Sequence, residues 1–449
     1  MKEYELGSPI RANLEITEVC PLACKHCYTY WGYAATGKRT SVCDEQYELA
    51  HFTKIIDILS SLGIRMLTFT GGEPFSRKDI LYDLIKYAKK RSMIVFVNTS
   101  ASLICSDDKA YIRDVGADGY LVSLMSYKRK VNNALSQFDS FDNTVKGIKI
   151  LSALGQNITV NMVCSKENYK DVRATAKFVE SLGVYGFSAA PMMAALSYPE
   201  YLEMRLSKEQ LRQVLEDILW VQNNTKLLAT TLESLPYCAF NDSDLSSFRS
   251  ILSHSYCGAG MTDIAIACNG DVRPCIMSSK SVGNLLTDDW DDLWNNMSIW
   301  RTEKVLPEEC LSCEVVDECG GGCRVSALTV NNSINGKDPY MENKLDCIPW
   351  DKDEYYLDLI DKDKSEIDLN VNYRISKDVV DRREPFGGTL FIGSKAIFLK
   401  EDPYKLFLIL KKMDTFSSTQ VIKKHRIKKE EYIEFVRVLL DESIVEMVG

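Results

Sequence analysis

Short apolar runs alternate with amphipathic segments over the first half of the chain, from residue 10 to about residue 219. The runs are rich in β-branched residues and have the length of buried strands. They are residues 12–17, 66–70, 94–98, 120–124, 158–163 and 185–190. Between them the apolar residues recur at helical spacing, as in residues 47–62. This alternation predicts an α/β fold in which the strands are parallel.

The pattern changes near the C-terminus. Residues 351–379 are acidic and polar, which predicts a linker. A hairpin is then predicted at residues 389–392 and 396–399, with Gly393 and Ser394 in its turn. Three helices follow at about residues 403–413, 417–425 and 428–440, the second opened by Ser417 and Gln420 as a capping box. A hairpin followed by three helices predicts a winged-helix-like α+β domain.

Composition narrows the class of protein. The 449 residues carry a net charge of -9, which argues against nucleic acid as a general partner because such binding needs lysine and arginine to neutralise phosphate. The sequence has no uninterrupted apolar stretch of about 18 residues, the length that would suggest a membrane span. Its N-terminus lacks the pattern of a signal peptide. The sequence therefore predicts a cytoplasmic protein without a membrane partner.

Fifteen cysteines and four histidines indicate a metal held by sulfur, because the reducing cytosol disfavours a disulfide framework. Cys20, Cys24 and Cys27 form a C-x3-C-x2-C arrangement just after the first predicted strand. Three thiolates can hold three irons of a cubane cluster and leave the fourth iron open for chemistry. A structural zinc site fits less well, since it normally takes four ligands in two separated pairs.

A second motif, Gly71-Gly72-Glu73-Pro74, follows the second predicted strand. Glycines let the backbone approach a ligand closely, and a carboxylate beside them attracts an ammonium group. The third predicted strand ends in Asn98, with Thr99 and Ser100 directly after it, and the fourth carries Ser123. The carboxyl ends of parallel strands meet at one edge of the sheet, where functional loops gather. We therefore expect these residues near the three cysteines.

A second group of cysteines spans about ninety residues and has the spacing of a metal-binding region. Its members are Cys257, Cys275, Cys310, Cys313, Cys319, Cys323 and Cys347, with Gly270 between the first two. Four other cysteines have no second cysteine at ligand spacing and are interpreted as core or incidental residues. These four are Cys43, Cys105, Cys164 and Cys238.

The three-cysteine loop, with His26 before its third cysteine, and the GGEP motif resemble the radical S-adenosylmethionine (SAM) superfamily. This resemblance implies a partial (β/α)6 barrel and a SAM-binding 4Fe-4S cluster on Cys20, Cys24 and Cys27. It also implies that residues 71–74 bind the amino group of SAM. Asn98, Ser100 and Ser123 lie where the family contacts the ribose or carboxylate of SAM.

The later cysteines closely resemble the SPASM domain, which implies two auxiliary iron-sulfur clusters. The family arrangement implies Cys257, Cys275 and Cys323 at one cluster. For the other it implies Cys310, Cys313, Cys319 and Cys347. Cys268 is either a fourth ligand of the first auxiliary cluster or a buried strand residue.

The C-terminal elements resemble the PqqD-like domain that binds leaders of ribosomally made peptides. A DNA-binding alternative rests on the basic run at residues 423–429. However, Glu430, Glu431 and Glu434 would face phosphate in the would-be recognition helix. An extended peptide added to the hairpin edge, beside Phe435 and Val438, is preferred.

These interpretations predict a radical SAM barrel at 1–225, a SPASM domain at 226–350, a linker at 351–379 and a peptide-recognition domain at 380–449. The expected function is oxidation or crosslinking of a precursor peptide through a 5'-deoxyadenosyl radical, with a reductant such as flavodoxin or ferredoxin as a further partner. Two alternatives are a sulfatase-maturing or a tetrapyrrole-modifying enzyme. An alternative of another class is an iron-sulfur sensor with a DNA-binding winged helix, although the GGEP motif argues against it.

Overall fold

The computed structural model describes residues 5–28, 47–194, 198–253, 255–342, 345, 348, 367–369, 371–425 and 427–448. The chain divides into two compact units. The larger unit is Ser8–Pro349, and the smaller unit combines Met1–Gly7 with Trp350–Gly449. The division falls next to residue 351, where the composition predicts the start of a linker.

The first part of the larger unit alternates strands with helices. Its elements are β1 (Arg11–Glu15), α1 (Leu49–Ser61), β2 (Met66–Thr70), α2 (Lys78–Lys90), β3 (Ile94–Thr99), α3 (Lys109–Val115), β4 (Gly119–Ser123), α4 (Arg129–Ser136), α5 (Phe141–Ala153), β5 (Ile158–Cys164), α6 (Val172–Glu180) and β6 (Gly186–Pro191). All six strands predicted from the sequence are present, with ends shifted by at most two residues. The predicted α/β class is confirmed.

The six strands are parallel and lie side by side in chain order. Each strand pairs with the next one along the chain. The helices cover the sheet with their apolar faces; in α1, for example, Phe52, Ile55 and Ile56 are fully buried. Because the strands are parallel, all six carboxyl ends face the same edge. This edge carries the candidate site.

The rest of the larger unit is mostly short elements. They are α7 (Tyr198–Met204), α8 (Lys208–Asn224), β7 (Leu228–Thr230), α9 (Asp242–Leu252), β8 (Asp263–Ile266), β9 (Asp271–Arg273), β10 (Gly283–Asn284), α10 (Trp290–Asn296), α11 (Glu308–Leu311), α12 (Val316–Cys319) and α13 (Arg324–Asn331). β7 extends the sheet beside β6, and β8 pairs with β1 in parallel. β9 and β10 then continue it antiparallel, giving ten strands in the order β10-β9-β8-β1-β2-β3-β4-β5-β6-β7. The cysteine-rich later part of the chain thus contributes strands to the same sheet as β1, the strand that precedes the three-cysteine loop.

A buried ion pair joins the two parts of this sheet. The Arg273 guanidinium lies 2.5 Å from the Glu15 carboxylate, and both side chains are 3% exposed. Arg273 ends β9 two residues before Cys275, whereas Glu15 ends β1 five residues before Cys20. The pair therefore links the two cysteine-bearing segments across β8, the strand that lies between β1 and β9.

The smaller unit has two three-stranded sheets and three helices. Its elements are β11 (Asn372–Ile375), β12 (Val380–Glu384), β13 (Gly387–Ile392), β14 (Lys395–Lys400), α14 (Glu401–Lys411), β15 (Phe416–Ser417), α15 (Ser418–His425), α16 (Lys429–Asp441) and β16 (Val445–Val448). The predicted hairpin and all three predicted helices are present, displaced by at most two residues. One sheet has the order β12-β13-β14 and the other β15-β11-β16.

β11 lies inside the stretch that the composition predicts as linker. It pairs with β16 at the end of the chain. A short segment of four residues does not indicate such a pairing from its sequence alone. Residues 351–366 of the predicted linker lie outside the described residues.

The N-terminal residues also contact the smaller unit: the backbone N–H of Gly7 donates to the buried Glu384 carboxylate at 2.9 Å. The first residues therefore belong to the smaller unit.

Within the part of the chain that the structure describes, no helix is both long enough and apolar enough to cross a membrane.

Candidate active site

The three-cysteine loop leaves the carboxyl end of β1 and is held against α4. The backbone N–H groups of Ala23 and Lys25 donate to the carbonyl oxygens of Ser136 and Leu135, at 3.2 and 2.9 Å. Within the loop, Cys27 N–H donates to the Cys24 carbonyl at 3.1 Å. All three thiols face one cavity of about 270 Å³. The loop is therefore positioned by backbone contacts, and its three cysteines line the cavity.

Two glycines after β2 pack directly against the start of this loop. Gly72 N–H donates to the Thr17 carbonyl at 2.6 Å, and Glu73 N–H donates to the Val19 carbonyl at 2.8 Å. A Cβ at Gly71 would lie 2.1 Å from the Thr17 oxygen, and one at Gly72 would lie 2.2 Å from the Val19 oxygen. Gly71 also has φ of +125°, which disfavours any other residue. The close approach of the two segments therefore requires glycine at both positions.

The Glu73 carboxylate is buried and accepts hydrogen bonds from the end of β3. Thr99 and Ser100 hydroxyls donate to it at 2.6 Å each, and the Ser100 N–H donates at 2.7 Å. Phe75 N–H donates at 3.1 Å, which caps the short helix that starts at the buried Pro74. Glu73 thus joins the ends of β2 and β3 and brings a negative charge to the cavity wall.

The cavity brings together most residues that the sequence nominates. Its lining includes Cys20, Cys24, Cys27, Gly71, Gly72, Glu73, Asn98, Ser100 and Ser123. Pro74 is buried behind the wall. The predicted meeting of strand ends at one edge is therefore observed, since these residues lie at or just after the carboxyl ends of β1, β2, β3 and β4.

His26 and Tyr28 form a poorly hydrated part of the wall. Burial lowers the pKa of His26 to about 4, so its ring is neutral near pH 7. Its Nδ1 is buried without a hydrogen-bond partner. The Tyr28 hydroxyl shares a hydrogen bond with Thr70 Oγ1 at 3.1 Å. An apolar wall beside three thiols suits an iron-sulfur cluster, whose properties depend on solvent exclusion.

Glu233 also lines the cavity, and the sequence offers no motif that marks it. It follows β7 within a stretch of helices and loops. Burial raises the pKa of its carboxyl to about 7. Burial is the main cause of the raised pKa values of Cys257, Cys275 and Cys323, and the nearby Glu233 carboxyl makes a smaller contribution to each. Glu233 therefore lines the cavity and also lies near these three later cysteines.

Cys257, Cys275 and Cys323 are gathered although they are far apart in sequence. Burial, followed by the neighbouring Cys257, raises the pKa of Cys275 to about 12. The same two causes raise the pKa of Cys323. Backbone N–H groups of Met277 and Ser326 donate to the Cys275 and Cys323 sulfurs, each at 3.4 Å. Such N–H···S bonds stabilise thiolate charge when a metal replaces the protons.

Cys310, Cys313 and Cys319 surround a separate small cavity. Cys310 and Cys319 lie in the short helices α11 and α12, and Cys313 lies in the turn between them. Cys347, which the family resemblance adds to this set, lies outside the described residues. Cys238 shares the cavity, although no second cysteine lies near it in sequence.

Gly320, Gly321 and Gly322 separate Cys319, which lines the small cavity, from Cys323, which lies near Cys257. All three have positive φ, of 66°, 76° and 77°. The chain can therefore turn sharply between the two groups of thiols.

The remaining cysteines differ in their surroundings. Cys268 is buried, with 1% of its surface exposed, and lies two residues after β8. Cys164 is fully buried in β5, and its thiol donates to the Met162 carbonyl at 3.6 Å. Cys105 caps the short helix at residues 106–108. Cys43 lies outside the described residues.

The donor set suits clusters better than single ions. No group of three or more His, Cys, Asp or Glu side chains among the described residues is arranged to hold one metal ion. A four-iron cube spreads its thiolate ligands around its corners, whereas zinc draws four donors around one atom. Three thiols beside a glycine cradle, and two further cysteine groups, therefore fit iron-sulfur clusters.

Comparisons with known proteins agree with this chemistry. Residues 14–179 match the radical SAM superfamily, and residues 257–314 match the iron-sulfur cluster-binding domain SPASM. The AdoMet-dependent heme synthase of Oleidesulfovibrio alaskensis is 22% identical over 354 residues, covering 75% of this chain and 89% of the synthase. The mycofactocin maturase MftC of Mycolicibacterium smegmatis is 25% identical over 344 residues, covering 75% of this chain and 83% of the maturase.

A solved structure shows the same fold. The crystal structure of Streptococcus suis SuiB bound to precursor peptide SuiA matches with a TM-score of 0.60 at 20% identity, covering 75% of this chain and 76% of SuiB. The chain therefore contains a radical SAM domain and a SPASM domain, whose cofactors are a SAM-binding 4Fe-4S cluster, S-adenosylmethionine and auxiliary iron-sulfur clusters.

Proposed function

We propose that this protein is a radical SAM enzyme that oxidises or crosslinks a ribosomally made precursor peptide. The observation that carries the proposal is the single cavity of about 270 Å³. The three-cysteine loop and the glycine pair line one side, and Glu233, Ile276 and Met277 line another. Met277 lies two residues after Cys275, so a substrate in this cavity lies between the SAM site and the auxiliary cysteines.

The SAM site is proposed to use the residues at the ends of β2, β3 and β4. Gly71 and Gly72 offer backbone groups to the ammonium, and the Glu73 carboxylate adds attraction from behind them. Ser100 keeps that carboxylate in place through two hydrogen bonds. Asn98 and Ser123 line the same cavity and are the groups available to the ribose or carboxylate. Pro74 keeps the motif's backbone in position from behind the wall.

A cluster held by Cys20, Cys24 and Cys27, with SAM bound beside it, would supply the radical chemistry needed to remove a hydrogen atom from a substrate carbon. Completing an oxidation then requires loss of one electron and one proton from the substrate. The auxiliary clusters are the proposed electron acceptors. Glu233 is the proposed proton acceptor, because its carboxyl lines the cavity near Cys257, Cys275 and Cys323. A flavodoxin or ferredoxin is the proposed external reductant.

The smaller unit is proposed to bind the leader of the peptide, as a PqqD-like domain would. β14 is an edge strand of its sheet, so its outer backbone groups can pair with an extended peptide. On α16, Phe435 is half-buried and Val438 is 38% exposed, which offers apolar contact. Glu430 and Glu431 begin that helix and are exposed, which disfavours DNA phosphate there.

The mycofactocin maturase supports the proposal through its name, which describes a maturation reaction. The heme synthase covers a similar share of this chain and supports the alternative of a tetrapyrrole substrate. A leader-binding unit would serve a peptide substrate and has no evident use for a tetrapyrrole, which favours the peptide.

The test uses anaerobically reconstituted full-length protein and measures 5'-deoxyadenosine after reduction. Short peptides encoded beside its gene are compared with tetrapyrrole precursors of haem. We expect one such peptide to accelerate SAM cleavage and to lose hydrogen or gain a crosslink by mass spectrometry. The Cys24→Ala variant serves as the inactive control. Turnover of a tetrapyrrole and of no peptide would overturn the proposal.

A further inference from the structure

Arg324 is a buried cation in the cysteine-rich part of the larger unit. It directly follows Cys323, begins α13 and is only 2% exposed. The hydrogen bonds of its guanidinium to described residues all go to backbone carbonyl oxygens, and its Nε is buried without a hydrogen-bond partner. A buried charge is costly unless opposite charge lies nearby.

The carbonyl contacts orient this guanidinium toward the three-glycine turn. Its Nη2 donates to the carbonyl of Gly321, in the middle of that turn. Its Nη1 donates to the Gly336 carbonyl at 2.9 Å and lies 3.4 and 3.5 Å from the carbonyl oxygens of Ile334 and Val305. Because carbonyl oxygens carry only partial charge, they fix the position of the guanidinium without neutralising it.

The guanidinium lies beside both groups of later cysteines. Arg324 is bonded directly to Cys323, which is grouped with Cys257. A Cβ built at Gly321 would lie 3.8 Å from Arg324 Cζ and 3.6 Å from the sulfur of Cys310. The guanidinium and this thiol of the small cavity therefore lie close to the same point.

The pKa values of one thiol from each group agree with this position. Burial raises the pKa of Cys257, and it raises that of Cys310 to about 12. At both thiols the positive charge of Arg324 opposes part of the rise in pKa.

Asp338 is a buried carboxylate near this guanidinium, but its oxygens accept hydrogen bonds from the backbone. Oδ2 accepts the N–H of Cys323 at 2.9 Å, and Oδ1 accepts the N–H of Tyr340 at 2.8 Å. Burial raises the pKa of Asp338 to about 6, and the Arg324 charge opposes part of this rise. Further negative charge beside Arg324 comes from the cysteines once clusters are bound, because each ligating thiol then loses its proton.

We propose that Arg324 places one positive charge beside both auxiliary clusters and thereby raises their reduction potentials. Reduction adds a negative charge to a cluster, and a nearby cation stabilises that charge most strongly where water is excluded. The guanidinium stays protonated at every working pH, so the effect is permanent. Higher potentials suit clusters that accept electrons, a consequence that rests on the proposed function, whereas the potentials themselves involve no substrate.

The test measures the midpoint potentials of the auxiliary clusters in full-length, anaerobically reconstituted protein, by redox titration followed by electron paramagnetic resonance. Every protein carries Cys24→Ala, which removes the signal of the SAM cluster. Arg324→Gln removes the charge and keeps an N–H donor for the carbonyls. We expect reduction of both clusters to become about tenfold less favourable, equivalent to potentials about 59 mV lower for a one-electron couple.

Two further variants separate charge from packing. Arg324→Lys keeps the charge and loses the planar guanidinium, so its potentials should stay near those of the protein with Arg324. Arg301→Gln is the matched control, because Arg301 also donates to two carbonyls, of Gly260 at 3.1 Å and Trp294 at 2.9 Å, but is partly exposed and packs on the Trp294 ring. It should leave both potentials unchanged.

Unchanged potentials in Arg324→Gln, or equal falls in the glutamine and lysine variants, would overturn the proposal. Iron and labile sulfide per chain are measured first. If Arg324→Gln binds less iron, Arg324→Lys decides: retained potentials support the proposal, and lowered potentials despite the retained charge overturn it. No peptide is present in these titrations, so failure of every tested peptide would count only against the proposed function.

Discussion

The two cysteine-rich parts of the larger unit are built in different ways. The first places Cys20, Cys24 and Cys27 on one loop after β1, held by backbone hydrogen bonds to α4 and to the glycine pair. The second collects thiols from segments separated by as many as 85 residues, such as Cys238 and Cys323. A local loop depends on the backbone around it, whereas the dispersed groups depend on the packing of many short elements. Substitutions should therefore affect the two parts separately.

The largest expected effect comes from Cys24→Ala. Loss of one of only three thiolates on the loop should abolish reductive SAM cleavage. The auxiliary clusters are held elsewhere, so about eight of about twelve irons should remain, at four irons per cubane. Iron analysis and 5'-deoxyadenosine assays of the same preparation check both statements. Loss of all iron would show that the two parts are not independent.

Gly72→Ala should disable the local site without removing any cysteine. Its Cβ would lie 2.2 Å from the Val19 carbonyl oxygen, so the backbone of the cysteine loop or of the glycine motif must move. Displacement of about 1 Å at a reacting centre costs roughly 10²-fold in rate, and we expect at least that loss of SAM cleavage. Gly155→Ala is a control outside the site: a Cβ there meets nothing within 4 Å, and its φ of +68° makes alanine costly for stability without altering any contact of the cavity. Equal activity of the two variants would contradict the proposed cradle.

The difference between the two parts also explains what the sequence could predict. Each of the six parallel strands is a short apolar run that can be recognised locally, and the cysteine loop and glycine motif follow two of them directly. β8, β9 and β10 have only two to four residues, too few for a periodic pattern. Their place in the sheet, with β8 beside β1, depends on long-range pairing, which no local pattern contains.

Glu233 and Cys238 show the same limit at the level of single residues. Both lie between β7 and α9, in a stretch without a chemical motif. Their surroundings come from residues far away in sequence: Cys275 and Cys323 for Glu233, and Cys310 and Cys319 for Cys238. The same holds for β11, which is a strand only because the end of the chain pairs with it.

Glu233→Gln should impair substrate oxidation more than SAM cleavage. A proton acceptor works in its ionised form, and the pKa of this carboxyl is raised to about 7 by burial. Product formation should therefore increase with pH through about 7 in the unsubstituted protein. The glutamine variant should lose this increase and form product roughly 10²-fold more slowly, a typical contribution of general base catalysis. Product and 5'-deoxyadenosine measured at pH 6 and pH 8 separate the two steps.

An unchanged pH profile in Glu233→Gln would assign the proton acceptor to another group. SAM cleavage without substrate is the internal control, since Glu233 has no proposed role in it. A parallel fall in both rates would indicate a general disturbance of the cavity.

The smallest expected effect concerns the other compact unit. The two-residue turn at Gly393 and Ser394 makes Ile392 and Lys395 a hydrogen-bonded pair, so the next pair, Phe391 and Ala396, is not hydrogen-bonded. The N–H of Ala396 therefore points away from β13 toward the open edge of β14. Ala396→Pro removes this donor without breaking the ladder to β13. We expect leader binding to weaken about tenfold, equivalent to about 1.4 kcal/mol for one hydrogen bond.

Fluorescence anisotropy of a labelled precursor peptide measures this change in the full-length protein. Ala396→Ser keeps the N–H and should bind the leader as the unsubstituted protein does, which separates the backbone donor from the side chain. Substrate-independent SAM cleavage should be equal in all three proteins, because the cysteine loop and the glycine motif are unaltered. If Ala396→Pro binds the leader as tightly as Ala396→Ser, the peptide does not pair with this edge of β14, and the exposed face of α16 around Val438 becomes the surface to substitute next.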